Sequence, residues 1–301
     1  MTILRPETIE KLQGLDLRAR AVVEGAFAGG HRSHQRGFSV EFADYREYSS
    51  GDDLRYVDWK VFARRDRVYV KQFETETDFQ CHVVLDVSES MAYRSEASVL
   101  SKWGYAQLLA AAICVVVTRQ QDRAGITTMT DTLHARIRPS GNLADLITFL
   151  ETAAPLPPAA TPRGAVELDI GHAFHDLAES LGKRGVVILM TDCLADPESL
   201  LLGLRHLRFR GQDVALFHIV DPAEETFPFD DPLVLQGLEG LGEERVDARW
   251  LAAAYREEFR ACRQQLERGC RDHHVDYRLT RTDTPPEDVL REFLTGRNLT
   301  G

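Results

Sequence analysis

Three oxygen-bearing side chains stand at every second position where a strongly apolar run ends. The run VVLDVSES, residues 83–90, carries Asp86, Ser88 and Ser90. Asp192 closes a second run of the same kind, VVILMTD. Two carboxylates and two hydroxyls form a set of hard oxygen ligands, which suits Mg²⁺ or Mn²⁺ and gives a softer metal no advantage. These four residues are therefore the candidate metal ligands.

A purely structural role is the alternative for the same residues. Asp and Ser side chains at the end of a strand commonly form Asx or Ser turns and cap the helix that follows. Asp192 could likewise cap a helix that begins near Pro197. Its neighbour Cys193 would be a candidate nucleophile if a histidine base lay close to it in space. The residue types alone leave these alternatives open.

Apolar runs and helical periodicities alternate over most of the chain. Short, nearly continuous apolar runs are typical of strands in a sheet that helices cover on both faces. The predicted strands are 81–87, 124–130, 133–138, 186–191, 214–220 and 275–280, and the predicted helices are 96–120, 142–153, 169–182, 196–209, 247–272 and 285–295. This order predicts a doubly wound α/β sheet, mostly parallel, with one short antiparallel excursion between the second and third strands.

The predicted sheet explains how distant residues could form one site. In doubly wound sheets, ligands bind at the carboxyl ends of the strands, where the direction of winding reverses. Asp86 ends the first predicted strand, and Asp192 follows the fourth. If these two strands are neighbours at the centre of the sheet, the two carboxylates lie on either side of that crevice.

The first 80 residues differ in character from the rest of the chain. Residues 6–28 have apolar positions at helical spacing and stop at a Gly-Gly pair, which predicts an amphipathic helix. Residues 37–80 are rich in aromatic and β-branched residues, which predicts a small β-rich segment whose Trp59 is either core or part of a docking surface. We expect an N-terminal helix and linker over 1–36, the β-rich lead-in over 37–80, and the α/β domain over 81–301.

Composition and charge exclude some classes of function. The chain has 301 residues and a formal net charge of −11, which disfavours a protein that coats nucleic acid. Its five cysteines show neither a C-x-x-C pair nor zinc-finger spacing, as expected of reduced thiols in the cytoplasm. The start has no secretory signal, and the longest apolar run, LLAAAICVVV, is shorter than the roughly 20 residues that span a bilayer. We therefore expect a cytoplasmic protein without a direct membrane span.

The motifs resemble those of a known family. LDVSESM, followed later by MTD, looks like the D-x-S-x-S and Asp elements of the metal-ion-dependent adhesion site in von Willebrand factor A domains. The stretch GFSVEFADYREYSSGDDLRYVDWKVFARRDRVYVKQFE is similar to the segment that precedes this domain in the bacterial family called domain of unknown function 58. The resemblance implies a divalent ion held by Asp86, Ser88, Ser90 and Asp192. It also implies a MoxR-type AAA+ ATPase as partner, while the protein client stays unknown.

One position departs from the family pattern. Relatives carry a metal-binding threonine near the start of the helix before the fourth strand, and this chain has VELDIGHAF, with Leu168 at that position. A leucine side chain cannot ligate a metal. Thr161 or water could fill the position, or the ion could have been lost, because Mg²⁺ requires a near-octahedral shell.

Two functions of different classes follow. The first is a non-enzymatic interaction module that binds a partner through a divalent ion, or through the same loops without it, as partner or adaptor of a MoxR-type AAA+ ATPase in chaperone-like assembly or maturation of another complex. The second is a metal-dependent hydrolase of phosphate esters, since carboxylate-bound Mg²⁺ can polarise a phosphoryl group. The sequence has neither a P-loop nor a G-x-S-x-G motif, and this argues against the hydrolase.

Overall fold

The main sheet of the described residues is mostly parallel. The computed structural model describes residues 13–28, 45–47, 69–71, 80–156, 170–182, 184–229, 232–236 and 243–297. Its strands are β1 (Tyr45–Glu47), β2 (Tyr69–Lys71), β3 (Gln80–Asp86), β4 (Arg123–Met129), β5 (Leu133–Ser140), β6 (Gly185–Thr191), β7 (Gln212–Val220), β8 (Pro232–Gln236), β9 (Glu243–Asp247) and β10 (Asp276–Arg281).

Six of these strands form one sheet in the order β10-β7-β6-β3-β4-β5. All neighbours are parallel except β4 and β5, which pair antiparallel at the edge. The predicted doubly wound, mostly parallel α/β sheet is therefore confirmed. Because the chain places β4 on one side of β3 and returns to place β6 on the other, the winding reverses between β3 and β6.

Two layers of helices cover the sheet. The helices are α1 (Leu15–Ala28), α2 (Lys102–Arg119), α3 (Leu143–Thr152), α4 (Ile170–Ser180), α5 (Pro197–Phe209), α6 (Pro222–Thr226), α7 (Ala248–Asp272) and α8 (Pro286–Arg297). In one layer, α2 packs against α1, α3 and α8. In the other, α5 packs between α4 and α7. Within the described ranges, no helix combines the length and the apolar character that crossing a membrane requires.

The central strand and the central helix carry much of the core. The side chains of β3 from Cys81 to Leu85 are buried, and α2 is buried on nearly every face because it lies between the sheet and three other helices. The predicted helix over 96–120 begins instead at Lys102, where the Ser101 hydroxyl accepts a hydrogen bond from the Gly104 amide at 3.1 Å.

The chain divides into two compact units, residues 34–79 and the remainder. Within the smaller unit, β1 and β2 form an antiparallel pair. Most of the predicted β-rich segment, including Trp59, lies outside the described residues, as do residues 6–12 of the predicted N-terminal helix. The division of the chain into 1–36, 37–80 and 81–301 stays a prediction.

Candidate functional site

Asp86 lies at the carboxyl end of β3, directly beside the end of β6. Its Oδ1 accepts a hydrogen bond from the Ser88 amide at 2.8 Å, which forms the Asx turn that the sequence allows. Its Oδ2 accepts a hydrogen bond from the Thr191 hydroxyl at 2.6 Å. Because Thr191 is the last residue of β6, the carboxylate ties together the two strands between which the winding reverses.

The two serine hydroxyls of the motif lie side by side. Ser88 Oγ and Ser90 Oγ are 3.0 Å apart. Ser88 precedes a short 3-10 helix, Glu89–Ala92, but its side chain makes no capping hydrogen bond. The helix-cap alternative therefore does not account for Ser88, whose hydroxyl lies within hydrogen-bond distance of that of Ser90.

Asp192 is buried and forms an ion pair with a buried lysine. Lys102 Nζ lies 2.8 Å from Asp192 Oδ2 and 2.5 Å from Glu224 Oε1. The side chain of Lys102 is 0% exposed and that of Asp192 is 3% exposed. The other oxygen of Asp192, Oδ1, accepts a hydrogen bond from the Leu194 amide at 3.3 Å. Asp192 thus has a partner at each oxygen.

The neighbouring side chains stabilise the protonated, positively charged form of Lys102. Burial alone lowers the pKa of a lysine, but the Asp192 and Glu224 carboxylates outweigh burial and raise the pKa of Lys102 above its usual value. The ring of Tyr93 lies below the ammonium, with 5.7 Å between Nζ and the ring centroid. Lys102 is therefore a permanent cation at neutral pH.

Among the described residues, no cation forms an ion pair with Asp86. Burial, and then the charge of Asp192, raise the pKa of the Asp86 carboxyl to about 6, against the opposing effect of the hydrogen bonds from Thr191 and Ser88. A carboxylate that is buried near a second carboxylate is stabilised by any positive charge that approaches it. Within the described parts of the chain, the Asp86 side of the crevice therefore carries negative charge that no ion pair offsets.

The backbone turns sharply directly after Asp192. Cys193 has a φ of 56°, in the left-handed region that residues other than glycine seldom adopt, and its amide donates to the Thr191 hydroxyl at 3.1 Å. Cys193 is 3% exposed, and burial, followed by the charge of Asp192, raises the pKa of its thiol well above the usual value. Burial and the raised pKa both disfavour the hypothesis that Cys193 is a nucleophile, because a nucleophilic cysteine needs an accessible thiolate.

The cap of the helix after β6 is a different aspartate. Asp196 precedes α5, and its Oδ2 accepts a hydrogen bond from the Ser199 amide at 2.8 Å. The alternative in which Asp192 caps this helix is thus wrong, and the ion pair with Lys102 takes its place.

Further hydrogen bonds hold the neighbouring loops together. Asp221 and Glu224 form a capping box at the start of α6, so the same Glu224 side chain serves the helix end and Lys102. Asp221 Oδ2 also accepts from the Ser95 amide at 3.0 Å. The Ser98 hydroxyl lies 2.8 Å from that of Thr282, beyond the end of β10. The loops after β3, β6, β7 and β10 are thus connected to one another.

Part of this set fits a hard divalent ion. Octahedral Mg²⁺ has ligands at about 2.1 Å, which places neighbouring oxygens about 3 Å apart, and the two serine hydroxyls have this spacing. Asp86 supplies a carboxylate on the same loop. Among the described residues, no three His, Cys, Asp or Glu side chains form a group that could hold a metal, so such an ion would depend on the hydroxyls. Leu168 and Thr161 lie outside the described residues.

Three exposed apolar side chains belong to the segments around these oxygens. Tyr93, directly after the 3-10 helix, is 36% exposed, and Leu194, two residues beyond Asp192, is 63% exposed. Leu156 is 40% exposed, and its amide donates to the Val87 carbonyl at 2.7 Å, which fixes it beside the Asp86 loop. We call these three residues the apolar rim.

Sequence reasoning identified Asp86, Ser88, Ser90 and Asp192 but missed two partners that fix them. One is Lys102, whose signal is a charged residue at the start of an otherwise apolar helix. The other is Thr191, the hydroxyl in the motif MTD. The structure brings Asp86, Ser88 and Ser90 together with Thr191, and it pairs Asp192 with Lys102.

Comparison with known proteins shows the family of this chain. The order of its sheet and its D-x-S-x-S loop resemble those of a von Willebrand factor A-like domain. The family described as "Protein of unknown function DUF58" matches residues 44–268, and the chain belongs to that family.

The individual proteins that the chain is similar to share only a modest fraction of its sequence. Uncharacterized protein Rv1480 of Mycobacterium tuberculosis is 27% identical over 234 residues, which cover 78% of this chain and 72% of that protein. The conserved hypothetical protein BatB from Bacteroides thetaiotaomicron is 14% identical, with a TM-score of 0.47 over 74% of this chain and 100% of that one. The SpRpn10 VWA domain is 11% identical, with a TM-score of 0.37 over 70% of this chain and 93% of that one.

Proposed function

We propose that this chain is a non-enzymatic interaction module, the partner or adaptor of a MoxR-type AAA+ ATPase in the chaperone-like assembly or maturation of another protein complex. The observation that carries the proposal is the grouping of Asp86, Ser88 and Ser90 at the point where the sheet reverses its winding. The ATPase is the partner that the family resemblance implies. The five cysteines form no disulfide bond, which supports a cytoplasmic setting for the pair.

The site has the composition of a docking surface. Protein interfaces combine exposed apolar and aromatic side chains with polar groups, and a few residues supply most of the binding free energy. Here the exposed residues of the apolar rim, Tyr93, Leu156 and Leu194, belong to the segments next to the Asp86 loop and Asp192. Their exposure leaves them available to a partner.

Asp86, Ser88 and Ser90 are the residues that would hold Mg²⁺ or Mn²⁺. A bound divalent ion would supply a positive charge at which a carboxylate of the partner could bind. The chain's own contribution is to fix the loop, through the Asx turn of Asp86 and the hydrogen bond from Thr191. The Lys102 pair fixes the opposite side of the crevice.

The proposal is tested by co-purification with a MoxR-type AAA+ ATPase encoded beside this protein. We expect the full chain to retain the ATPase, and Asp86→Ala and Leu194→Ala each to reduce the retained amount without unfolding the protein. Leu202→Ala is the matched control, because Leu202 is 52% exposed against 63% for Leu194 but lies on the outer side of α5. Equal retention by all four proteins would show that these loops are not the docking surface.

A further inference from the structure

Lys102 occupies a position at which helix formation does not favour a lysine. It is the first residue of α2, and the positive end of the helix dipole there favours acidic side chains and disfavours a cation. It is also fully buried, which is rare for lysine unless it is paired. The position is therefore explained by what the ammonium contacts and not by formation of the helix.

The ammonium joins two acids that come from different parts of the chain. Asp192 follows β6 and Glu224 lies in α6, and both are within 2.8 Å of Nζ. Their side chains are 3% and 19% exposed, so solvent screens these charges only weakly. Removal of Lys102 would leave two acids without their common counter-ion.

This arrangement restricts Asp192. For its carboxylate to turn towards an ion at the serine hydroxyls, it would have to give up the bond to Lys102 Nζ, and a buried ammonium would lose one of its two partners. That loss is costly because both charges are out of water. A divalent ion would also be repelled by the fixed positive charge of Lys102.

We propose that Lys102 is a built-in cation that keeps Asp192 out of the direct ligand shell and holds divalent-ion binding at this site weak. The inference rests on the proposed role of Asp86, Ser88 and Ser90 as ligands. Lys102 is thus a residue that sets the affinity of the site, and it acts on the ion through Asp192 and through its own charge.

Mn²⁺ binding to the full chain, measured by electron paramagnetic resonance, tests this inference. Lys102→Met is expected to bind Mn²⁺ at least about tenfold more tightly than the wild type, the scale on which residues behind metal ligands act. The double variant Lys102→Met with Asp192→Asn is expected to lose that gain. Arg205→Met removes one positive charge from the exposed side of α5 and controls for net charge. Unchanged or weaker binding by Lys102→Met would overturn the inference.

A second measurement uses the wild type and does not depend on the folding of a variant. In nuclear magnetic resonance, the Lys102 ammonium should give a protected ¹⁵N signal that saturating Mg²⁺ leaves in place, while the amides of Ser88 and Ser90 shift. Loss of the ammonium signal on addition of Mg²⁺ would contradict the inference, because it would mean that the ion had taken Asp192 from Lys102.

The outcomes separate this inference from the proposed function. Equal Mn²⁺ affinity in the wild type, Lys102→Met and the double variant overturns the role of Lys102 and leaves the metal role of Asp86, Ser88 and Ser90 standing. No Mn²⁺ binding by any of these proteins overturns both, while co-purification with the ATPase still tests docking through the loops alone.

Discussion

Lys102 Nζ lies 2.8 Å from Asp192 Oδ2, and the two side chains are 0% and 3% exposed. The pair joins the start of α2 to the loop that follows β6. Buried ion pairs of this kind seldom increase stability over an apolar pair, but the loss of one partner is expensive because it leaves a charge without compensation. The two residues therefore fix the geometry of the crevice whether or not an ion binds there.

Replacement of Lys102 by methionine is expected to lower the free energy of unfolding by about 3–5 kcal/mol, since Asp192 and Glu224 would lose their common counter-ion. Urea denaturation at neutral pH measures the change. The further replacement Asp192→Asn should recover part of the loss, because one of the two uncompensated charges is then gone. A loss below about 1 kcal/mol, the value for an exposed pair, would contradict the burial of Lys102.

Replacement of Gly203 by alanine should destabilise the packing of α5 against α4. A Cβ atom at this position would overlap the ring of Phe174, which is 1% exposed in the core. We expect a loss of about 1–3 kcal/mol in the free energy of unfolding, as for other overpacked cores. Gly141→Ala is the matched control, because a Cβ atom there meets no atom within 4 Å. Similar stabilities of the two variants would show that the helices are farther apart than described.

His82 should make the protein less stable in mild acid. Burial, and then the nearby charge of Arg136, lower the pKa of His82 to about 4 from the usual value of 6.5. As pH falls from 6.5 towards 4, the unfolded chain therefore binds a proton that the folded protein does not, and stability present above pH 6.5 is lost.

His82→Gln removes this contribution. Between pH 7.5 and pH 5, the free energy of unfolding should fall by about 2 kcal/mol less in the variant than in the wild type, as followed by urea denaturation at each pH. Parallel curves for the two proteins would mean that His82 is protonated in the folded state at pH 5.

Leu168→Thr tests the departure from the family pattern. If the remaining ligands keep their geometry, a hydroxyl at this position should raise the affinity for Mn²⁺, and the midpoint of thermal unfolding should rise more steeply with added ion. Leu168→Val, which has nearly the shape of threonine without its hydroxyl, is the control. An equal response in both variants would mean that position 168 does not reach the ion.

The sheet and the oxygen loop could be predicted because their signals are local. Apolar runs fixed the ends of most strands to within one or two residues, and the alternation of Asp86, Ser88 and Ser90 is visible in five consecutive letters. The expected site required the first and fourth predicted strands to be neighbours, and in the structure these strands, β3 and β6, pair in parallel.

The ion pair could not be predicted because its members are distant in the chain. Lys102 is 90 residues from Asp192 and 122 residues from Glu224, and no repeating pattern links the three. The late start of α2 has a similar cause. Residues 93–100 are held by contacts with distant loops, such as the bond between the Ser95 amide and Asp221, and not by helical periodicity.

The central claim is that the Asp86 loop is the docking surface for a MoxR-type AAA+ ATPase. The most direct test is the dissociation constant of the purified pair for the wild type and for the combined variant Asp86→Ala, Ser88→Ala and Ser90→Ala, each measured in Mg²⁺ and in EDTA. We predict at least about tenfold weaker binding by the folded variant, the cost of losing a hot spot worth 1–2 kcal/mol or more. Equal dissociation constants for the two proteins would contradict the claim.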